Sequence, residues 1–242
     1  MAHGLGNAHD HVGRWFMEHP HVQIGIAALP SRGRWHAYQE HIDPALGHAT
    51  MSALGLTAAA QRAHRLLNAT VQLWPDDAPE GSSDPDVARV RLLLRAEQSP
   101  NPDSRVTLAD ELDAFGVPVA RLDWQLTPLD WDSICTTAEI VAAALERHGE
   151  GRVELAVTRD APWPSQPTNK DHYRPWGCHH LGTTRMSTDP RFGVVDRDAK
   201  VHGIENLFIA GSSVFPTGGY ANPTLAVIAL ALRTVEHLRG AL

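Results

Sequence analysis

Apolar and polar positions alternate along residues 22–28, the two-residue period of a strand with one buried face. Runs of similar character predict strands over 90–97, 105–109, 117–126 and 152–158. Ser99-Pro100-Asn101-Pro102-Asp103 reads as a hairpin-type turn joining the first two of these runs. Two helices interrupt the pattern. Thr57 is placed to cap one that runs to about residue 67 and stops at Asn68. Asp132 is placed to cap a second over 133–148, with Ile134, Ala138, Val141 and Leu145 on one face and Gly149 at its end. Consecutive strands without regular crossover helices predict an antiparallel sheet, so the middle of the chain reads as α+β.

Loops and the last third complete the picture. Residues 76–86 are rich in Pro, Gly, Ser and acid, and 161–175 are Pro-rich, so both read as loops. Leu207-Phe208-Ile209-Ala210-Gly211 is a short apolar run of the kind buried on both faces in a parallel sheet. The final helix has Asn222 at its N-cap and Pro223 at its first position. Its first two turns are apolar all round, whereas Arg233, Glu236 and Arg239 come later, which predicts a helix buried where it starts and exposed where it ends. Near the start, Gly4-Leu5-Gly6-Asn7 is a turn with no strand before it, so an upstream element is expected.

Composition narrows the function. Seventeen prolines and nineteen glycines in 242 residues favour a loop-rich α+β or α/β chain over a helical bundle. A formal charge of −7 with no Lys/Arg run predicts no nucleic-acid partner. The longest apolar stretch, 225–232, is too short to span a bilayer, so no membrane partner is expected. Cys135 and Cys178 lie far apart and make no metal-type pair; with no signal-peptide pattern in the first twenty residues, a reducing, cytoplasmic setting is expected.

Chemistry concentrates in two places. Cys178-His179-His180-Leu181-Gly182-Thr183-Thr184-Arg185-Met186 sets two imidazoles beside a turn of small residues. A neutral imidazole, with an unperturbed pKa of about 6.5, takes a proton from an alcohol at neutral pH. The helix start at Asn222, preceded by Gly218-Gly219-Tyr220-Ala221, offers unpaired N–H groups and partial positive charge to an anionic edge such as that of a reduced flavin. Residue types alone leave other readings open: two ordinary loop histidines, a plain N-cap, or a metal site built from His172, His179 and His180. Adjacent side chains seldom converge on one ion, and no Cys or Glu completes that set.

The order of the motifs adds to this. His179 to Met186, then Gly193-Val194-Val195-Asp196, then Val201-His202-Gly203-Ile204-Glu205-Asn206 into the apolar run ending at Gly211, then Ala221-Asn222-Pro223-Thr224 resembles the C-terminal signature of the glucose–methanol–choline (GMC) flavoprotein oxidoreductases. It looks most like their sugar-oxidising branch, the pyranose oxidases and bacterial glycoside 3-oxidases, in which Asn stands where many relatives have a second His. Val12-Gly13-Arg14-Trp15-Phe16-Met17-Glu18-His19-Pro20 is similar to the segment that follows the flavin-binding half, and Glu97 through Arg105 to a stretch of the substrate domain. The resemblance implies FAD as cofactor, a sugar or glycoside CH–OH group as substrate, His179 as the base and Asn222 as its partner. It also implies Gly211 and Ser212 near the flavin phosphate and ribityl region, and Pro223 and Thr224 near the ring carbonyl.

The expected organisation is a trailing segment of an FAD-binding domain over 1–29, an antiparallel substrate-binding domain over 30–170, and a catalytic segment with the last strand and helix of an incomplete FAD-binding α/β domain over 171–242. The glycine-rich dinucleotide turn of the family has no counterpart here. The chain is therefore expected not to hold FAD tightly alone. It reads as a truncated product, or as one part of a split enzyme completed by a separate FAD-binding chain, with a non-catalytic interaction module as the alternative.

Overall fold

The computed structural model describes residues 4–45, 47–76, 84–160 and 178–241. The loop expected over 161–175 lies outside these residues, as do His172 and most of the loop expected over 76–86. In chain order the elements are β1 (His21–Pro30), β2 (His41–Ile42), β3 (Ala49–Thr50), β4 (Leu54–Gly55), α1 (Ala58–His64), β5 (Ala69–Pro75), β6 (Val87–Ala96), β7 (Arg105–Leu112), β8 (Pro118–Asp123), α2 (Pro128–Arg147), β9 (Arg152–Leu155) and α3 (Thr224–Ala241). They fall into two compact units, neither a continuous stretch: one of residues 1–19, 98–127 and 177–242, the other of 20–97 and 128–176.

The second unit is built on an antiparallel sheet of order β4-β5-β6-β1-β9. Strand periodicity sends Val22, Ile24, Ala27 and Leu29 of β1, Val71 and Leu73 of β5, and Val90, Leu92 and Leu94 of β6 into one core. Against them α2 sets Ile134, Ala138 and Val141 with Leu145 half-buried beside them, the stripe its spacing predicts, and adds Cys135. A register shift between Gln23 and Gly25 reconciles the two ends of β1 with β6. The mixed α and antiparallel β class is as expected.

Several boundaries differ from the sequence reading. Helix α2 starts at Pro128, five residues earlier than predicted, because proline is well tolerated in a first turn; Asp132 lies inside the helix and pairs with Arg159 at 3.1 Å. Helix α1 is capped by Thr57 as predicted, its Oγ accepting the Ala60 N–H at 3.2 Å, but ends at His64 because Arg65 takes a left-handed conformation. β6 and β7 do not form a hairpin. β7 pairs with β8, and the turn between them is closed by Asp113, whose carboxylate accepts the N–H groups of Phe115 and Val117. β5 is an additional strand, in which Ala69, Val71 and Leu73 face the core.

The first unit carries the C-terminal motifs largely on irregular backbone. Val194, Val195, Val201 and Val214 form its small core, with Met186, Ile209 and Leu230 against them. Residues 207–211 are not a strand of a parallel sheet; Phe208 makes one antiparallel bridge to Lys200, and Ile209 N–H donates to the Ala199 carbonyl. The last helix also departs from expectation. It starts at Thr224, with the Pro223 carbonyl accepting its first helical bond, so the cap falls one residue later than predicted. Its start is not buried: Leu225 is 81% exposed, and Leu225, Ile228, Leu232 and Val235 form an exposed apolar stripe. Leu230 and the buried Thr234 hold the opposite side, and Arg233 donates to the Arg197 carbonyl.

Candidate active site

His179 is fixed by a short antiparallel pairing between two segments far apart in sequence. Met17 and Leu181 exchange both backbone hydrogen bonds, at 3.1 and 2.9 Å. Continuing that register sets Glu18 opposite His180 and His19 opposite His179. The side chains agree. His19 Nε2 lies 2.7 Å from His179 Nδ1, with ring centroids 4.6 Å apart. His180 Nε2 lies 2.9 Å from one oxygen of Glu18, while the other accepts the His179 backbone N–H at 3.0 Å.

Neighbouring segments brace the pairing. Phe16 N–H donates to the Ser104 carbonyl at 2.8 Å, Ser104 Oγ donates to the Phe16 carbonyl at 2.7 Å, and Glu18 N–H donates to the buried Gln98 side chain at 2.9 Å. On the other flank Gly182, Thr184 and Met186 donate to Ser212, Ser213 and Val214. The Arg185 guanidinium lies 4.4 Å from the centre of the Trp15 ring, and burial pushes its pKa below the ordinary value. Cys178, immediately before His179, adopts φ +55°, an uncommon conformation for a side chain with a Cβ.

Glu18 is the site's buried carboxylate, its side chain 2% exposed. Burial raises its pKa, and the His179 N–H and neighbouring imidazoles oppose that without reversing it. A carboxylate with a raised folded pKa keeps its proton where the unfolded chain has released it. The resulting stability is fully present below the unfolded value and is lost as pH rises through the folded one. From the ordinary value of 4.5 upward, wild type is therefore expected to lose stability relative to Glu18→Gln, whose amide does not ionise. Urea midpoints of both proteins between that pH and neutrality test this, and a gap that stays constant or widens in favour of wild type overturns it.

The predicted flavin-side residues are placed as follows. Ser212 Oγ donates to the His180 carbonyl at 2.7 Å, which holds Gly211 and Ser212 against the histidine segment. Leu181 Cδ1 lies 3.0 Å from where a Cβ on Gly218 would stand, so the turn leading to Asn222 packs beside the same segment. Asn222 and Thr224 are exposed and Pro223 half-buried at the start of α3. Gly211 and Gly219 each leave open space where a side chain would project. A helix start of this kind offers unpaired N–H groups and partial positive charge to an anionic group. Among the described residues no three His, Cys, Asp or Glu side chains group as metal ligands, and the proposed trio also needs His172, which lies outside them.

Sequence reasoning assigned no role to Glu18 or His19. Their signal was present in the Glu18-His19-Pro20 run ahead of the first strand, but not the register that sets them against His180 and His179.

The family of the chain is shown by its sequence, which matches a known one over the segment that carries His179. Residues 100–231, more than half of the chain, match the family described as GMC oxidoreductase, and the chain belongs to that family of FAD-dependent enzymes. It is similar to paromamine 6'-oxidase of Streptomyces fradiae, 28% identical over 165 residues covering 68% of this chain and 28% of that protein. C-glycoside 3-oxidase of Arthrobacter globiformis is 30% identical over 172 residues, covering 69% of this chain and 31% of the relative. In fold the chain is similar to formate oxidase of Aspergillus oryzae, with a TM-score of 0.56 at 18% identity over 96% of this chain and 48% of the oxidase. It thus spans about three-tenths of the length of the two relatives and just under half of the structural neighbour. No helix among the described residues is long and apolar enough to cross a membrane.

Proposed function

We propose that this chain is the substrate-binding and catalytic part of an FAD-dependent oxidoreductase that oxidises a CH–OH group of a sugar or glycoside. An FAD-binding half carried on another polypeptide segment completes it, and the chain is inactive without that half. The observation that carries the reading is His179, held through its backbone and one ring nitrogen inside the segment matched by the family. The names of the relatives, a paromamine 6'-oxidase and a C-glycoside 3-oxidase, support a sugar-type substrate.

In this reading His179 takes the hydroxyl proton and the Asn222 carboxamide orients the substrate oxygen. Gly211 and Ser212 lie along the phosphate and ribityl part of the cofactor, and Pro223 and Thr224 at the ring carbonyl, where the helix start favours negative charge. Bound FAD supplies the hydride acceptor.

The need for a second half is supported by where apolar surface stands exposed. Leu108, Leu112 and Phe115 of the β7–β8 hairpin and the α3 stripe all belong to the unit that carries His179. Covering a leucine or isoleucine side chain is worth about 1.5–3 kcal/mol. That exceeds the ~0.5–1 kcal/mol of rotamer freedom lost per side chain, so covering this surface is a driving force toward a complementary FAD-binding half, set against the cost of association.

The test is reconstitution. The chain is purified alone and co-expressed with an FAD-binding half, taken from a C-glycoside 3-oxidase or from the DNA upstream of Met1. Alone it is expected to carry no stoichiometric flavin spectrum and to oxidise no sugar; the complex is expected to carry flavin and to oxidise a sugar or glycoside. A stoichiometric flavin on the isolated chain overturns the need for a partner. A flavin-loaded complex that no sugar or glycoside reduces favours the non-catalytic interaction module instead.

A further inference from the structure

We propose that His19 is a positioning residue for His179, its Nε2 accepting a hydrogen bond from Nδ1–H of His179 and so leaving Nε2 of His179 free to take a proton. This rests on the reading of His179 as the base and adds a residue to that site. The two nitrogens are 2.7 Å apart, so between two neutral rings one carries the shared proton. If His179 carries it on Nδ1, its Nε2 has a lone pair and the ring is ready as a base. If His19 carries it, His179 holds its own proton on Nε2 and cannot start the reaction.

His19 is well placed for this. It is fully buried, so no water competes for its Nε2, and the Met17–Leu181 bridge sets its ring opposite His179 two residues further along. The backbone is tied as well, because the His179 N–H donates to Glu18. When Nε2 of His179 receives the hydroxyl proton, the ring becomes an imidazolium with N–H on both nitrogens. The bond to His19 then stabilises that cation, and passage of the Nδ1 proton to His19 Nε2 leaves His179 neutral with the substrate proton on its Nε2. No atom or electron is left over in either step.

The first measurement needs neither flavin nor activity. Nitrogen-15 NMR of the full chain, with ring-labelled histidine and assignment by His19→Gln and His179→Gln, reports which ring nitrogen is protonated. Expected are a protonated Nδ1 and a bare Nε2 on His179, with scalar coupling across the N–H···N bond to His19. Protonation of His179 on Nε2, or the absence of that coupling in wild type, overturns the proposal.

The second measurement uses the completed enzyme. His19→Phe, which removes the acceptor, is expected to lower kcat about tenfold with KM nearly unchanged, the effect of one ordinary hydrogen bond. His19→Gln, whose carbonyl oxygen can still accept, is expected to recover part of the loss. Equal loss in both variants, or loss in neither, counts against the proposal. Retained activity in His179→Ala removes the base reading itself, while the tautomer measured in the wild-type chain stands independently of it.

Discussion

His179→Ala, in the chain completed by its FAD-binding half, is expected to lower sugar-dependent turnover by about 10²–10⁴-fold, the range for loss of a positioned general base. Flavin content and KM should change little, because in the proposed site the imidazole acts on the proton and not on substrate affinity. Steady-state kinetics with the flavin spectrum as a loading control make the measurement. A variant that keeps wild-type kcat removes His179 from its assigned role whatever the family resemblance implies. His180, its neighbour, is engaged by Glu18 and has an exposed side chain, so it is not expected to replace His179.

Gly182→Ala is expected to destabilise the fold by about 2–5 kcal/mol. Left-handed backbone costs a residue with a Cβ about 1–2 kcal/mol, and overpacking adds about 1–3. Both apply here, since Gly182 has φ +89° and a Cβ there would run into the Trp15 carbonyl oxygen and stand 2.9 Å from Met17 Cε. Trp15 and Met17 belong to the segment whose backbone pairs with Leu181 and sets His19 against His179, so the variant should also lose the coupling between the two rings. Gly203→Ala is the control. Its φ is +76° but nothing lies within 4 Å of the new methyl, so only the backbone cost remains. Urea unfolding of both variants decides the matter, and equal destabilisation would show that the contact with Trp15 contributes nothing.

Much of the fold was legible because its signals are local. The alternation in β1, the apolar stripe of α2 and the Thr57 cap each depend on residues within a turn or a few strand positions of one another. Pairing between strands was less legible. Ser99-Pro100-Asn101-Pro102-Asp103 has the residues of a hairpin turn, yet β6 pairs with β1 and β5 while β7 pairs with β8. Turn chemistry allows a reversal, but packing chooses the strand that fills the neighbouring edge. The exposure of Leu225 was misread for a related reason. An apolar helix start announces that it needs a partner surface, and nothing in its own residues says where that surface resides.

The candidate site divides in the same way. Residue types and spacing drew attention to His179, to the small-residue turn at Gly182 and to a helix start near Asn222, which falls at Thr224, because imidazole basicity and helix-end polarity are properties of short segments. Tertiary structure alone placed Glu18 and His19, 160 or so residues away, across from the two histidines. Side chains alternate along paired strands, so a slip that set Met17 opposite His180 would put the Glu18 carboxylate, not the His19 imidazole, opposite His179 and move His19 to Cys178. That register is set by backbone hydrogen bonds and the bracing of Phe16 and Gln98, which only the folded chain assembles.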